Sequence, residues 1–150
     1  MKSTDIANPD YFHKVVDCQW ACPAHTPVPE YIRMIAQGRY DDAWLINWKS
    51  NVFPGILGRT CDRPCEPACR RSRVEEGSIE HRKSSAKPEP VAICRLKRAA
   101  ADFKGDIRER LPRPAARKNG KRVALVGAGP ASLTVARDLA PLGYDCDVFD

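Results

Sequence analysis

Apolar residues recur at helical spacing through much of the first hundred positions. Tyr31, Ile32 and Ile35, with Met34 beside them, form one stripe. Thr26-Pro27-Val28-Pro29-Glu30 reads as the start of that helix: Thr26 is a cap, the prolines are tolerated in a first turn, and Glu30 suits the positive end of the dipole. Gly38 ends it. A second helix begins near Asp41-Asp42 and turns Ala43, Leu45, Ile46 and Trp44 or Trp48 inward, until Asn51-Val52-Phe53-Pro54-Gly55 breaks it. Residues 72–90 are polar, hold Gly77 and two prolines, and read as a surface excursion. From Pro90 to Phe103 the helical pattern returns, with Val91, Cys94 (or Ile93), Leu96 and Ala100 on one face.

The pattern then changes. Residues 104–120 are rich in Arg and Pro and read as a linker. Lys121-Arg122-Val123-Ala124-Leu125-Val126 is a short buried-strand pattern, and Gly127-Ala128-Gly129-Pro130-Ala131-Ser132-Leu133 turns it into a helix ending near Leu142-Gly143. Asp145 to Phe149 is a second strand, followed by Asp150. Strand, Gly-rich turn, helix, strand and acid in this order are those of a dinucleotide-binding unit. Gly127 and Gly129 allow the tight turn and a close approach of backbone to pyrophosphate, Ser132 stands at the third glycine position, and Asp150 is placed to accept from a ribose. The expected architecture is a mostly α domain over residues 1–105, a linker over 106–120, and the first β-α-β of a Rossmann-type α/β domain over 121–150.

Composition narrows this. The chain has 150 residues, 43% of them hydrophobic, with 13 prolines and a net charge of +6. The charge is concentrated: from Arg59 to Arg122 basic residues outnumber acidic ones 19 to 9. Such a field favours an acidic partner, an anionic cofactor or nucleic acid without choosing among them; a solvated basic face is the plain alternative. No stretch reaches the roughly 18 apolar residues of a membrane span, and the N-terminus carries no signal-like apolar run.

The cysteines choose the chemistry. Cys61, Cys65 and Cys69 stand four residues apart, and Cys18 and Cys22, followed by Pro23, precede them by about forty positions. In a helical turn such spacing brings thiolates to one side. An odd total of seven cysteines disfavours a secreted disulfide scaffold and suits metal or redox use in a reducing cytoplasm. Iron–sulfur is favoured over zinc, since structural zinc sites usually carry C-x-x-C pairs. Cys146 lies in a strand pattern and reads as core packing.

Taken together, the C-x-x-x-C-P run, the Pro29-Glu30-Tyr31-Ile32-Arg33 helix, Gly58-Arg59-x-Cys61-x-x-x-Cys65-Glu66-x-x-x-Cys69, Pro90-Val91-Ala92-Ile93 and Gly127-Ala128-Gly129-Pro130-Ala131 resemble the glutamate synthase small-subunit family, and the N-terminal region of dihydropyrimidine dehydrogenase is similar. The resemblance implies a helical, α-helical ferredoxin-like [4Fe–4S] domain followed by an FAD- and NAD(P)H-binding oxidoreductase that passes electrons between flavin and a partner redox subunit. It implies metal ligands among Cys18, Cys22, Cys61, Cys65, Cys69 and Cys94, and an FAD site at Gly127, Ala128, Gly129, Pro130, Ala131, Ser132 and Asp150. Two-cluster members carry an extra C-x-x-C before the position of Cys18, which Phe12 to Asp17 lack, and a Gln or Glu ligand where this chain has Lys97 and Arg98. One turn earlier Cys94 can replace that ligand. One cluster is therefore expected ahead of two, on Cys22, Cys61, Cys65 and Cys94, with Cys18 and Cys69 left over, shared or alternates. The resemblance also implies an enzyme of which this stretch is a part, since one β-α-β holds no residues for the flavin ring or NAD(P)H. The competing readings are a flavin-free iron–sulfur adaptor subunit and a zinc-stabilised basic module for nucleic acid.

Overall fold

Proline and glycine decide where the helices begin and end. The computed structural model describes residues 16–74 and 89–150. Its helices run in the order α1 (Asp17–Ala21), α2 (Val28–Ala36), α3 (Tyr40–Ser50), α4 (Pro54–Thr60), the single turn α5 (Arg71–Val74) and α6 (Ile93–Phe103). Prolines occupy the first turns of α2 and α4, where a missing N–H costs nothing. Gly38, at φ +72°, turns the chain out of α2.

Several expectations need correction here. Thr26 does not cap α2, which begins behind Pro27 without a side-chain cap. Helix α4 begins at Pro54, inside the stretch read as a breaker, because Pro at a first helical position starts a helix as readily as it ends one. Helix α6 begins at Ile93, three residues beyond Pro90, after a turn closed by Ile93 N–H to Val91 O at 2.8 Å. Asn47 is fully buried on α3 alongside Ala43 and Trp44, and donates to the Ala43 carbonyl at 2.9 Å. Most of the stretch read as a surface excursion lies outside the described residues.

The core sits between α2, α3, α4 and α6, with α6 packed most extensively on α4 and α3. Val28, Tyr31, Ala43, Cys65, Ile93, Cys94 and Ala100 form one buried cluster. The linker does not hang free: Ile107 is buried, Asp41 accepts from Gly105 N–H at 2.7 Å, and Asp42 accepts from Arg110 at 2.6 Å. These bonds fasten the stretch after α6 back onto α3.

Beyond it, β1 (Arg122–Val126), α7 (Pro130–Leu139), a 3-10 turn (Ala140–Leu142) and β2 (Asp145–Phe149) follow. The two strands pair in parallel, Arg122 opposite Asp145 and Val126 opposite Phe149. A helical crossover between parallel strands is the compact way to join them. The buried-strand reading of β1 is corrected in one respect: only Leu125 is buried, and Val126 is 86% exposed. Arg137 of α7 lies over the Trp48 ring, 4.9 Å from its centroid, and donates to the Trp48 carbonyl. Trp48 stacks on Trp44 at 6.2 Å.

Candidate metal centre

Cysteine side chains reach the core from four different pieces of chain. Cys18 lies in α1, and Cys22 is the residue that ends it. Cys61 ends α4, and Cys65 and Cys69 sit in the turns that follow. Cys94 is on the first turn of α6. The four-residue spacing therefore works through turns and helix ends and not along one helix. Arg63, between Cys61 and Cys65, adopts φ +60°, and its N–H points at Cys61 Sγ at 3.4 Å. An N–H aimed at sulfur stabilises a thiolate there. All seven cysteines are free thiols.

Packing and electrostatics link the six: Cys65 and Cys94 lie in the buried cluster, with Cys18 and Cys61 packed against it. Burial pushes the Cys94 thiol up to about 12, and the neighbouring Cys61 adds to the rise, followed by Cys65. Burial also raises Cys65, next to Cys22 and Cys61. Burial acts against Cys22 as well, but hydrogen bonds from the Thr26 side chain and backbone, from Ala24 and the Lys97 charge hold it below its usual value. Cys22 Sγ and the Thr26 hydroxyl are 3.5 Å apart. Cys22, Cys61, Cys65 and Cys94 are thus one electrostatic neighbourhood. Cys18 is raised by burial and then by Cys69. Cys146 lies on β2, in the other part of the molecule.

Two residues hold this neighbourhood in place. Tyr31, fully buried, donates to the Ile93 carbonyl at 3.0 Å, tying α2 to the residue before Cys94. Its phenol is held far above its usual range by burial and by the thiols around it. Glu66 accepts from the Cys94 N–H at 3.1 Å, capping α6 from the loop that carries Cys65. Neither role was read from the sequence. The one signal available was Glu66 following Cys65 inside the Cys-Glu-Pro-Ala-Cys run. Lys97, set aside as unable to ligate iron, is buried at 6% exposure, one turn along α6 from Cys94.

Four thiols gathered from separate segments fit the donor set of an iron–sulfur cluster. Among the described residues, no three Cys, His, Asp or Glu side chains converge on the position of a single ion. A cluster binds each thiolate at a different iron, so its ligands surround a volume and do not meet at a point. A surface concavity lined by Arg59, Arg63, Arg95 and Arg98 opens onto Cys61 and Cys94.

The Gly-rich turn is also ordered. Gly127 has φ +90°, where a side chain would be strained, and donates to Phe149 O at 2.6 Å. Gly129 precedes α7 in extended conformation, and nothing lies within 4 Å of where its side chain would project. Pro130 and Ala131 open α7. Ser132 Oγ donates to Val126 O at 3.2 Å, so a side chain at the third glycine position bridges helix to strand. Asp150 accepts from Ala128 N–H at 3.4 Å. Among the described residues no helix is long and apolar enough to cross a membrane.

The chain is similar to several known proteins. The NADPH-Fe(3+) oxidoreductase subunit beta of Geobacter sulfurreducens is 34% identical over 98% of this chain and 21% of its own length. The NADP(+)-dependent formate dehydrogenase subunit beta of Moorella thermoacetica is 36% identical over 89% of this chain and 20% of its own. The glutamate synthase [NADPH] small chain of Azospirillum brasilense is 31% identical over 89% of this chain and 26% of its own. The chain thus spans about a fifth to a quarter of the curated relatives it matches. Residues 12–108, which hold all six clustered cysteines, match the family model described as dihydropyrimidine dehydrogenase domain II, 4Fe-4S cluster, and this chain belongs to that family.

Proposed function

We propose that this chain is the electron-transfer portion of an NAD(P)H-dependent oxidoreductase containing FAD and a [4Fe–4S] cluster, and that it passes electrons between flavin and a partner redox subunit. One observation carries the reading: Cys22, Cys61, Cys65 and Cys94 come from three separate stretches of chain to one core, Cys65 and Cys94 within its buried cluster, Cys61 packed against it and Cys22 beside the buried Thr26. These four hold the cluster, which when bound supplies one-electron storage. Cys18 and Cys69 are alternates, not primary ligands.

The chain's own residues do the rest. Cys65 and Cys94 are buried, while Cys61 lines the concavity that opens to the surface. Binding requires thiolates, so protons leave Cys65 and Cys94 as iron binds, and the energy gained on binding is also folding energy. The Arg63 N–H directs itself at Cys61, while Tyr31 and Glu66 fix the start of α6 and with it Cys94. Outer partners of this kind orient ligands and tune the metal.

The domain reading is a helical [4Fe–4S] domain over residues 1–105, a linker over 106–120, and from 121 the beginning of a Rossmann-type FAD domain. In it Gly127, Ala128, Gly129, Pro130, Ala131 and Ser132 meet the pyrophosphate and Asp150 the ribose. The parallel strand pair joined by α7 and the left-handed Gly127 support this. The relatives' names support NADPH or NADP(+) as the nicotinamide and a multi-subunit setting, two of them being beta subunits and one a small chain. Free thiols throughout suit a cytoplasmic location.

Electron paramagnetic resonance of the dithionite-reduced chain tests the ligand set. A Cys94→Ser variant is expected to alter the signal or make it labile to oxygen, and Cys18→Ser to leave it unchanged. The reverse pattern would move the cluster to the Cys18 and Cys69 pair.

A further inference from the structure

Lys97 is the unexplained residue of the site. It lies on α6 three positions after Cys94, on the buried face with Ile93, Cys94 and Ala100, and only 6% of it is exposed. Lysine is almost never buried this far without a compensating charge, since removing an ammonium from water is costly. Glu66, the carboxylate at this end of α6, is engaged with the Cys94 N–H and with Arg63 at 3.8 Å. Its neighbours on that face are thiol-bearing: Cys94 stands one turn away, and Cys94 and Cys65 lie together in one buried cluster against which Cys61 packs.

We infer that Lys97 is the built-in counter-charge of the cluster, a positioning residue that favours its reduced form and so raises its reduction potential. The inference rests on the cluster reading above. A cluster held by four thiolates is an anion, and the electron it accepts from a reductant such as dithionite adds one more negative charge while no bond forms or breaks. A fixed ammonium beside those thiolates stabilises the more negative state more than the less negative one. Net charge and hydrogen bonds at the sulfurs are the levers by which a protein sets such a potential. Arg95 and Arg98, on the exposed side of the same helix, are screened by water and act far more weakly.

The experiment is a dithionite titration of the full chain, purified anaerobically, with iron content measured on the same samples. Lys97→Met keeps the length and apolar stem without the charge, and Lys97→Arg keeps the charge. The Met variant is expected to hold the wild-type amount of iron and to show its midpoint shifted to more negative potential. The Arg variant is expected to return most of that shift. If Met fails to load iron while Arg loads it, the positive charge is needed to assemble the site, which supports the counter-charge role. A Met variant with full iron and an unshifted midpoint overturns the inference, and so does loss of iron from Met and Arg alike, since shape and not charge would then be the requirement. Wild-type chain without iron would instead sink the cluster reading itself.

Discussion

Glu66 shows how much of the site is carried by residues that ligate nothing. Its carboxylate caps α6 across 28 positions of sequence and so fixes where Cys94 points. A hydrogen bond to a charged acceptor contributes about 1.5–3 kcal/mol, and half-burial keeps solvent screening from removing all of it. Glu66→Ala is expected to lower the unfolding free energy by about 1–2 kcal/mol and to make the bound iron easier to chelate. Glu66→Gln, which retains an acceptor, should lose less than half of that. Urea unfolding of both variants reads this directly, and equal losses would show that the cap is not what Glu66 supplies. The thiols were legible in the sequence because cysteines at repeated spacing carry a signal of their own. Glu66, Tyr31 and Lys97 were not, because their roles exist only after α2, α6 and the Cys65 loop have met. Thr26 misled for the same reason: its cap-like position is real, but its hydroxyl faces Cys22.

Among the helices, α4 and α6 pack most extensively on each other. A side chain added at Gly58 would lie 2.8 Å from Arg98 N and 2.9 Å from its Cα, and both are backbone atoms that cannot swing aside. Glycine inside a helix ordinarily costs about 1 kcal/mol relative to alanine, so Gly58→Ala would be stabilising at an open position. Here overpacking, about 1–3 kcal/mol, outweighs that gain. Gly58→Ala is expected to lower the melting temperature and to loosen the site, since Cys61 and Cys94 lie on these two helices or at their ends. A variant as stable as the parent would mean the helices can separate without loss. Arg59 reaches Asp102 across this seam at 2.7 Å, and Arg98 pairs with the same carboxylate along α6 at 3.1 Å, but exposed pairs of this kind add little. Helical periodicity marked α2, α3 and α6 correctly within a few residues. It missed α4, whose seven residues open with Pro-Gly and hold too few apolar positions to show a period.

At the scale of the molecule, a thiol-bearing helical part and a β-α-β unit meet at Arg137 and Trp48, with Lys104 over the stacked Trp44 at 5.5 Å. The order of these two parts was legible because the hydrophobic period changes from helix to strand at Lys121. Their contact was not, since nothing in the sequence announces that an α7 arginine will cover an α3 tryptophan. Val126, Val148 and Phe149 are exposed around the Gly-rich turn, so the apolar surface beside the proposed FAD site is open to water. Titration with FAD, followed by flavin fluorescence, is therefore expected to show weak binding or none. Tight stoichiometric quenching would mean that residues 1–150 already complete the site. The claim on which everything else depends is that the core thiols hold an iron–sulfur cluster. Iron, zinc and acid-labile sulfide measured together on anaerobically purified protein test it most directly. About four iron and four sulfide per chain, with no zinc, are expected. A colourless protein with bound zinc and no sulfide would contradict it.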